Sequence, residues 1–498
     1  MTALDVLTQG LPYEHLQGPR ACSIAGVTAD SRKVRSGWVF AAVQGGQADG
    51  HAYIADALAR GALALVVDRA PDCGLPPHIT CIRVPDVRRA LAHMAAVFYG
   101  RPTDRLALVG ITGTNGKTTS TYLLESILAA HGATPGVIGT VAYRYPGYSQ
   151  PAEHTTPSPE ALQCLLREMV NAGTSHAIME VSSHALAQDR VWGCRFVAAL
   201  FTNLTQDHLD YHRDMPTYYA AKARLFTTCR PGVAVINCDD PAGEQLRHEA
   251  TAPVITYGFS PEAVVGVEGL EMNSQGITLA ARVHRHRVTV HSPLLGRHNV
   301  YNILGALATA HSLALDLGPT VAGIERLSVI PGRFERVDAG QPFTVLVDYA
   351  HTHDALRNAL QAARGLGVGR VIVVFGAGGD RDRTKRPHMG RVAAEYADFT
   401  VITSDNPRTE SPPAIIRAIE AGYLEYGHSS RYCVIEDRVQ AIHEAIGKAH
   451  DRDVVIIAGK GHETYQIVGR ERLPFDDRRV ARAALQALGF PTTSTALV

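Results

Sequence analysis

Short apolar runs that stop at a glycine or a charged residue recur along the chain, and each reads as a buried strand delivering a polar loop. The clearest is LALVGI, residues 106–111. It breaks at GTNGKT and continues into TSTYLLESIL, which is apolar at helical spacing. The pattern predicts a strand, a phosphate-cradling turn and a helix. The runs VIVVF (371–375) and VVIIAG (454–459) are β-branched and nearly unbroken, as parallel strands covered on both faces require.

The runs fall into three segments, residues 1–100, 101–331 and 332–498. The first has short strands at 39–43 and 81–84, a mixed unit at 53–68 and a helix ending at Phe98. YGRPTD (99–104) follows as a linker, because Gly100 and Pro102 break the helix. The second alternates strand-like stretches (176–184, 197–204, 232–240) with helical ones and closes with a long helix inside 293–313. VIPGRFERV (329–337) marks the next boundary. The third repeats the alternation at 343–351, 370–380, 399–408 and 453–463, and the tail PTTSTALV reads as frayed. The expected class is α/β with three domains: a central P-loop-type, mostly parallel sheet with helices on both faces, a C-terminal Rossmann-like α/β domain, and a smaller N-terminal α/β domain. Ligands of open α/β sheets collect beyond the carboxyl ends of the strands, so the third segment's polar loops should face one cleft.

Composition narrows the classes. Lys plus Arg and Asp plus Glu both number 48 in 498 residues, which gives no support for a nucleic-acid partner. Eight cysteines include no C-x-x-C pair, so zinc and redox motifs are unsupported and a reducing cytoplasm is expected. The N-terminal stretch lacks a basic signal-peptide region, and the apolar runs are too short to span a bilayer, so membrane insertion is not expected.

A full P-loop would carry glycine at 111, where Ile111 stands. The shorter core Gly113–Thr118 keeps the physics: Gly116 leaves room for phosphate, the helix N-terminus offers amides, and Lys117 offers a charge. Glu180, and Asp207 with His208, fall at neighbouring strand ends. They can share a cation or be ordinary hydrogen-bonded residues. Lys222, inside TYYAAKARLF, either snorkels outward or is a buried neutral amine able to take up carbon dioxide. SDNPRTE places Asp405, Asn406 and Arg408 at a strand end around Pro407. It reads as a capped turn or as a fork for a carboxylate. GAGGD (376–380) is a weak dinucleotide signal, since Arg381 stands at the third glycine position.

Together the motifs TADSR, GTNGKTT, HTTP, MEVSSHAL, NLTQDHLDYH, YYAAKARLF, GRHNVYN, PGRFE, VDYAHT, GDRDRTKRP, DNPR and GKGHE, in that order, resemble the Mur ligase family over nearly the whole length. The resemblance implies an ATP- and Mg²⁺-dependent amide-bond ligase of peptidoglycan precursor synthesis, working through an acyl phosphate. Its implied substrates are UDP-N-acetylmuramoyl-L-alanyl-D-glutamate and meso-diaminopimelate, and its implied state is a cytoplasmic monomer. Gly113, Thr114, Asn115, Gly116, Lys117, Thr118 and Thr119 would hold the triphosphate. Thr118, Glu180 and His208 would ligate magnesium, with Lys222 carbamylated to serve a second ion. Lys117, Lys222 and His208 would be the catalytic groups. Asn299 and Asn302 would contact or flank adenine, and Arg333 and Asp348 would close on the nucleotide.

The resemblance also implies that Ser31, Gly46, Gln47, Ala48, Thr155, Thr156, Ser182, Gln188 and Arg190 serve the UDP-sugar. Arg381, Asp405, Asn406, Pro407, Arg408, Gly459 and Glu463 would serve the amino acid. His154, His298 and Gln206 depart from residues common in the family. Closure of three domains would assemble the site, with hinges near 100–104 and 329–333. Three alternatives compete: a lysine-adding or folate-directed relative, a P-loop switch that merely hydrolyses ATP, and an inactive binding homologue.

Overall fold

The computed structural model describes residues 1–45, 48–273, 275–366, 369–426 and 429–491. Gly46 and Gln47, and the tail from 492, lie outside the described residues.

The first sheet has the order Glu14–Gln17, Thr80–Arg83, Ala62–Val67, Trp38–Ala41, Gly26–Thr28. Only its first pair is antiparallel. The mixed stretch 53–68 divides into a helix, Ile54–Ala59, and a strand, Ala62–Val67. Between them Gly61 turns at φ +93°, a conformation a side chain would strain. The stretch read as a linker is tied to the central domain. Arg167 donates to the carbonyls of Tyr99 and Gly100 at 2.6 and 3.0 Å, and the Arg195 amide donates to the Thr103 hydroxyl at 3.1 Å.

Eleven strands form the central sheet. At its middle lies β1 (Ala107–Thr112), followed by α1 (Lys117–Ala130). Parallel neighbours flank it: β2 (His176–Glu180) on one side and β3 (Phe196–Phe201) on the other. Successive side chains of β1 point to opposite faces. Val109 and Ile111 pack with α1 and with α3 (Arg297–Ser312), while Leu108 joins Phe196, Leu225 and Phe226 under α2 (Met215–Thr227). Helices therefore cover both faces, as the apolar runs require.

Each end of this sheet is antiparallel, a feature the long apolar runs do not announce. One end is the hairpin Ala142–Tyr145/Tyr148–Pro151. The other is the meander Val265–Asn273, Gly276–Val283, His286–Ser292. Its middle strand buries Ile277, Leu279, Ala281 and Val283 and turns the alternate residues outward, a period-two pattern diluted by histidines and arginines.

The third sheet runs Glu335–Arg336, β4 (Thr344–Asp348), β7 (Val454–Ala458), β5 (Val371–Phe375), β6 (Phe399–Ile402), Tyr432–Val434, and all neighbours except the first pair are parallel. Beneath the end of β7 the fully buried Arg438 and Asp477 form a two-pronged ion pair, both contacts 2.8 Å. Arg438 also donates to the Ala458 carbonyl at 2.9 Å. No helix among the described residues is long and apolar enough to cross a membrane.

Candidate active site

Strand β1 ends at the mouth of a cavity of about 670 Å³ between the central and C-terminal domains, large enough for a nucleotide. The turn is built tightly. Gly113 (φ +147°) leaves no room for a side chain because the Thr202 hydroxyl fills that space. Gly116 (φ +86°) sits under the Asn302 carboxamide. Lys117 opens α1, and its ammonium donates to the carbonyls of Gly113 and Thr114, both at 2.8 Å. Lys222 comes from α2, is 2% exposed, and donates to the same Gly113 carbonyl at 2.7 Å while lying over the Tyr218 ring. Burial pushes both amines down in pKa, Lys222 well below the ordinary lysine range, and the Lys117 cation adds to that push.

Glu180, at the end of β2, is 1% exposed. Its carboxylate accepts from the hydroxyls of Thr118 (3.1 Å) and Thr140 (2.8 Å) and from the Thr140 amide (3.0 Å). Arg333, from beyond the second boundary, donates to the Thr118 hydroxyl at 3.1 Å and stacks on Tyr349. Asp348 accepts from the amides of Phe334 and Ala350, and burial raises its carboxyl against the opposing pull of Arg333. Asn299 donates to the Leu295 carbonyl and receives the Asn302 amide, so this pair flanks the turn as a braced unit. His298 stands edge-on to Phe334.

His208 adopts a left-handed backbone (φ +56°), and burial pushes its imidazole down to about 3, so it is neutral. Thr118, Glu180 and His208 line one cavity and offer a hydroxyl, a carboxylate and an unprotonated nitrogen. The hydroxyl and the carboxylate are oxygen donors of the kind a magnesium ion takes, with few protein ligands, and the imidazole nitrogen is a softer third. Among the described residues no three His, Cys, Asp or Glu side chains gather into a metal site of their own. A cation here would therefore complete its shell with phosphate oxygens and water.

A clasp that sequence reading did not find joins the two domains. Buried Asp207 reaches His208 (3.4 Å), His351 (3.6 Å) and Lys385 (3.7 Å), the last two from the C-terminal domain. Burial alone would raise the Asp207 carboxyl; His208, Lys385 and His351 together hold it well below the usual range. Asn115 donates to Asp354 at 3.1 Å, and Gln206 donates to the Thr384 hydroxyl at 2.9 Å.

A second cavity, about 1270 Å³, opens between the N-terminal and central domains and is lined by Ser31, Arg32, Tyr143 and His154. Thr155 and Ser182 line the first cavity, so the HTTP stretch runs from one to the other. Thr156, Ser182, Gln188 and Arg190 form one network there. The Thr156 hydroxyl donates to the Glu180 carbonyl (2.8 Å), and Arg190 donates to the Thr156 carbonyl (2.9 Å) and the Gln188 side chain (2.8 Å). Ala48 does not line this cavity; its carbonyl accepts from the Gly45 amide.

Asp405, Asn406, Arg408, Gly459 and Glu463 do not line the nucleotide cavity but form a cluster of their own, because their loops lean on one another. Its centre is Lys460, wholly buried and part of the GKGHE motif although sequence reading singled out only the motif's glycine and glutamate. Lys460 donates to Asn406 and Glu463, both at 3.0 Å, and Asn406 donates to Glu463 at 2.8 Å. Gly459 (φ +117°) brings the backbone against the Asp405 carboxylate. Arg408 (φ +52°) follows Pro407 and donates to the Gly379 carbonyl at 2.6 Å. Burial, and then the neighbouring Arg381 cation, lower its pKa.

A glycine- and lysine-bearing turn on a parallel sheet, opening on a cavity shared with a second α/β domain, defines the class as a nucleotide-dependent enzyme. The chain belongs to the Mur ligase family: the Mur ligase middle domain matches residues 111–310, the glutamate ligase domain 332–461, and the family's catalytic domain 23–99. It is 47% identical to the UDP-N-acetylmuramoyl-L-alanyl-D-glutamate–2,6-diaminopimelate ligase of Geobacter metallireducens, across 97% of this chain and 98% of that one. A solved structure of a ligase with the same name is 34% identical, with TM-score 0.67 over 94% of this chain and 95% of that one. The MurF ligase of Thermotoga maritima, solved with ADP, shares the fold at 17% identity and TM-score 0.62, over 93% and 96% of the two chains.

Proposed function

We propose that this protein adds meso-diaminopimelate to UDP-N-acetylmuramoyl-L-alanyl-D-glutamate at the expense of ATP, in peptidoglycan precursor synthesis in the cytoplasm. The observation that carries the choice of amino acid is Arg381 beside Arg408. Among the described residues neither is in ion-pair contact with a carboxylate, although Asp405, Glu463 and Asp380 lie near enough to attract Arg408; each donates only to a nearby backbone carbonyl. Diaminopimelate brings an extra carboxylate at its far end, and a pair of guanidinium groups is suited to receive it. Asn406 and Glu463, preset by Lys460, would take the adjacent ammonium. The second cavity, with Ser31 and His154, supports a place for the UDP-sugar, with its peptide running along Thr155, Thr156 and Ser182 toward the phosphate turn.

A carboxylate is a poor electrophile until it is phosphorylated. Lys117, freed from the Gly113 and Thr114 carbonyls, would neutralise the transferring γ-phosphate while the amides of Gly113–Thr119 cradle the rest. Bound magnesium would supply further charge neutralisation, held by Thr118, Glu180 and His208. Lys222, kept from charging by burial, would react with carbon dioxide at its neutral nitrogen, release a proton and present a carbamate. The incoming amine then attacks the acyl phosphate, and phosphate leaves from the tetrahedral intermediate. Arg333, Asp348 and the Asp207 clasp would keep the C-terminal domain closed over the site and water out.

The test is incubation with ATP, the UDP-dipeptide and either diaminopimelate or lysine, with mass detection of the product. Tripeptide product from diaminopimelate alone is expected. Equal product from lysine would overturn the substrate reading, and rapid ATP hydrolysis without any acceptor would point to a hydrolytic switch.

A further inference from the structure

Arg381 and Arg408 belong to different loops, one following β5 and one following β6, and two like charges side by side push those loops apart. Glu410 opposes this. Its Oε1 accepts from the Asp380 amide at 2.7 Å, which ties it to the residue next to Arg381, while its own amide donates to the Pro407 carbonyl at 3.1 Å. Arg386, on the following helix Lys385–Tyr396, grips the same carboxylate with both prongs, at 2.9 and 3.1 Å, and donates to the Gly378 carbonyl at 3.2 Å. Both partners are sheltered, with side chains 4% and 11% exposed. Around them the loops are stitched backbone to backbone. The Gly379 amide donates to the Asn406 carbonyl at 2.9 Å, and Gly379 lies so close to Pro407 that a side chain there would strike its carbonyl. The Thr409 amide donates to the Asp380 carboxylate at 3.1 Å. Arg408 itself holds a left-handed backbone, which a non-glycine residue keeps only when its surroundings impose it.

We propose that Glu410 and Arg386 are positioning residues for amino-acid selection: their ion pair sets the spacing of Arg381 and Arg408, and so decides between diaminopimelate and amines lacking the far carboxylate without touching either. This rests on the substrate reading above. Glu410 lies beyond the strand ends, so its carboxylate acts on the placement of the two arginines more than on the sheet beneath them.

The variants are Glu410→Gln, which keeps shape and removes the charge, and Arg386→Lys, which keeps charge and removes the fork. KM and kcat would be measured for diaminopimelate, lysine, ATP and the UDP-dipeptide, with a thermal melt as a check on folding. The KM for diaminopimelate should rise on the order of tenfold or more, since small misplacements of binding groups carry penalties of that size. kcat at saturation, the rate with lysine, and the KM values for ATP and the UDP-dipeptide should hold, so selectivity falls by the same factor. Thr409→Val removes only the exposed bond from the Thr409 hydroxyl to the Asp380 carboxylate, 2.9 Å, and should move the same KM in the same direction by less, which covers the case of a Glu410 variant that fails to fold. Equal losses of kcat with both amino acids, or a parallel rise in the KM for ATP, would overturn the proposal in favour of a purely structural pair. A wild type that discriminates alongside variants that discriminate equally well removes the positioning role alone. A wild type that uses lysine as readily as diaminopimelate removes the substrate reading and the positioning role together.

Discussion

Lys117 and Lys222 end on the same acceptor: both side-chain nitrogens donate to the carbonyl oxygen of Gly113, at 2.8 and 2.7 Å. Burial and the neighbouring Lys117 cation keep the Lys222 amine neutral, so the carbonyl faces one charge and not two. The two amines therefore answer their crowding differently, Lys117 as the cation that phosphate would meet and Lys222 by giving up its proton.

For Lys117 the expectation is loss of turnover without loss of fold. Lys117→Ala should lower kcat on the order of a hundredfold or more, the scale of a lost transition-state donor. Its melting temperature should stay close to wild type, because the Lys117 ammonium bonds only to carbonyls of its own turn. Near-normal turnover in a folded variant would dismiss the phosphate assignment of this turn.

Lys222 carries a pH signature. Its pKa in the folded protein lies well below the value of about 10.4 in the unfolded chain. Between those two values the unfolded chain binds more protons, so stability rises with pH through that window and levels off above about 10.4. Melting curves in carbonate-free buffer should show this rise in wild type and a flatter profile in Lys222→Met. Isotopically labelled bicarbonate should give a carbamate signal in wild type alone, and small carboxylates should partly restore activity to Lys222→Ala. Absence of both the signal and the rescue would leave Lys222 as a plain buried amine.

Arg408→Ala removes half of the paired cation. If the far carboxylate of diaminopimelate is buried against it, the loss is about 2–5 kcal/mol, or roughly thirtyfold to several-thousandfold in KM for diaminopimelate. The KM values for ATP and the UDP-dipeptide should stay within a few-fold. A collapse of ATP binding with diaminopimelate binding intact would move Arg408 to the nucleotide site.

Arg438→Met should destabilise the C-terminal domain by about 3–5 kcal/mol, because it strands the fully buried Asp477 carboxylate. Adding Asp477→Leu should recover most of that loss, since two apolar residues leave no uncompensated charge. Denaturant melts of the single and double variants decide it. A double variant no better than the single would show that the Arg438 bond to the Ala458 carbonyl carries the stabilisation.

The sequence by itself determined the parallel strands, the glycine- and lysine-bearing turn at the end of β1, and the family. Apolar runs such as those ending at Ile111, Asp348 and Ala458 have one cheap fate, burial on both faces, and a Gly-Lys-Thr turn between strand and helix has few uses. The pattern also exposed Glu180 at a strand end, Lys222 inside an apolar helix, and His208 and Arg408 in the polar loops that follow strands. Only the tertiary structure decided who meets whom. Asp207 with Lys385, Arg386 with Glu410, Lys460 with Asn406, and Arg438 with Asp477 join residues distant in the chain or hidden inside motifs with a more conspicuous neighbour. Such pairs have no period and no fixed spacing. A buried charge requires a partner, and the chain alone does not say which one the packing of sheets and loops will bring within reach.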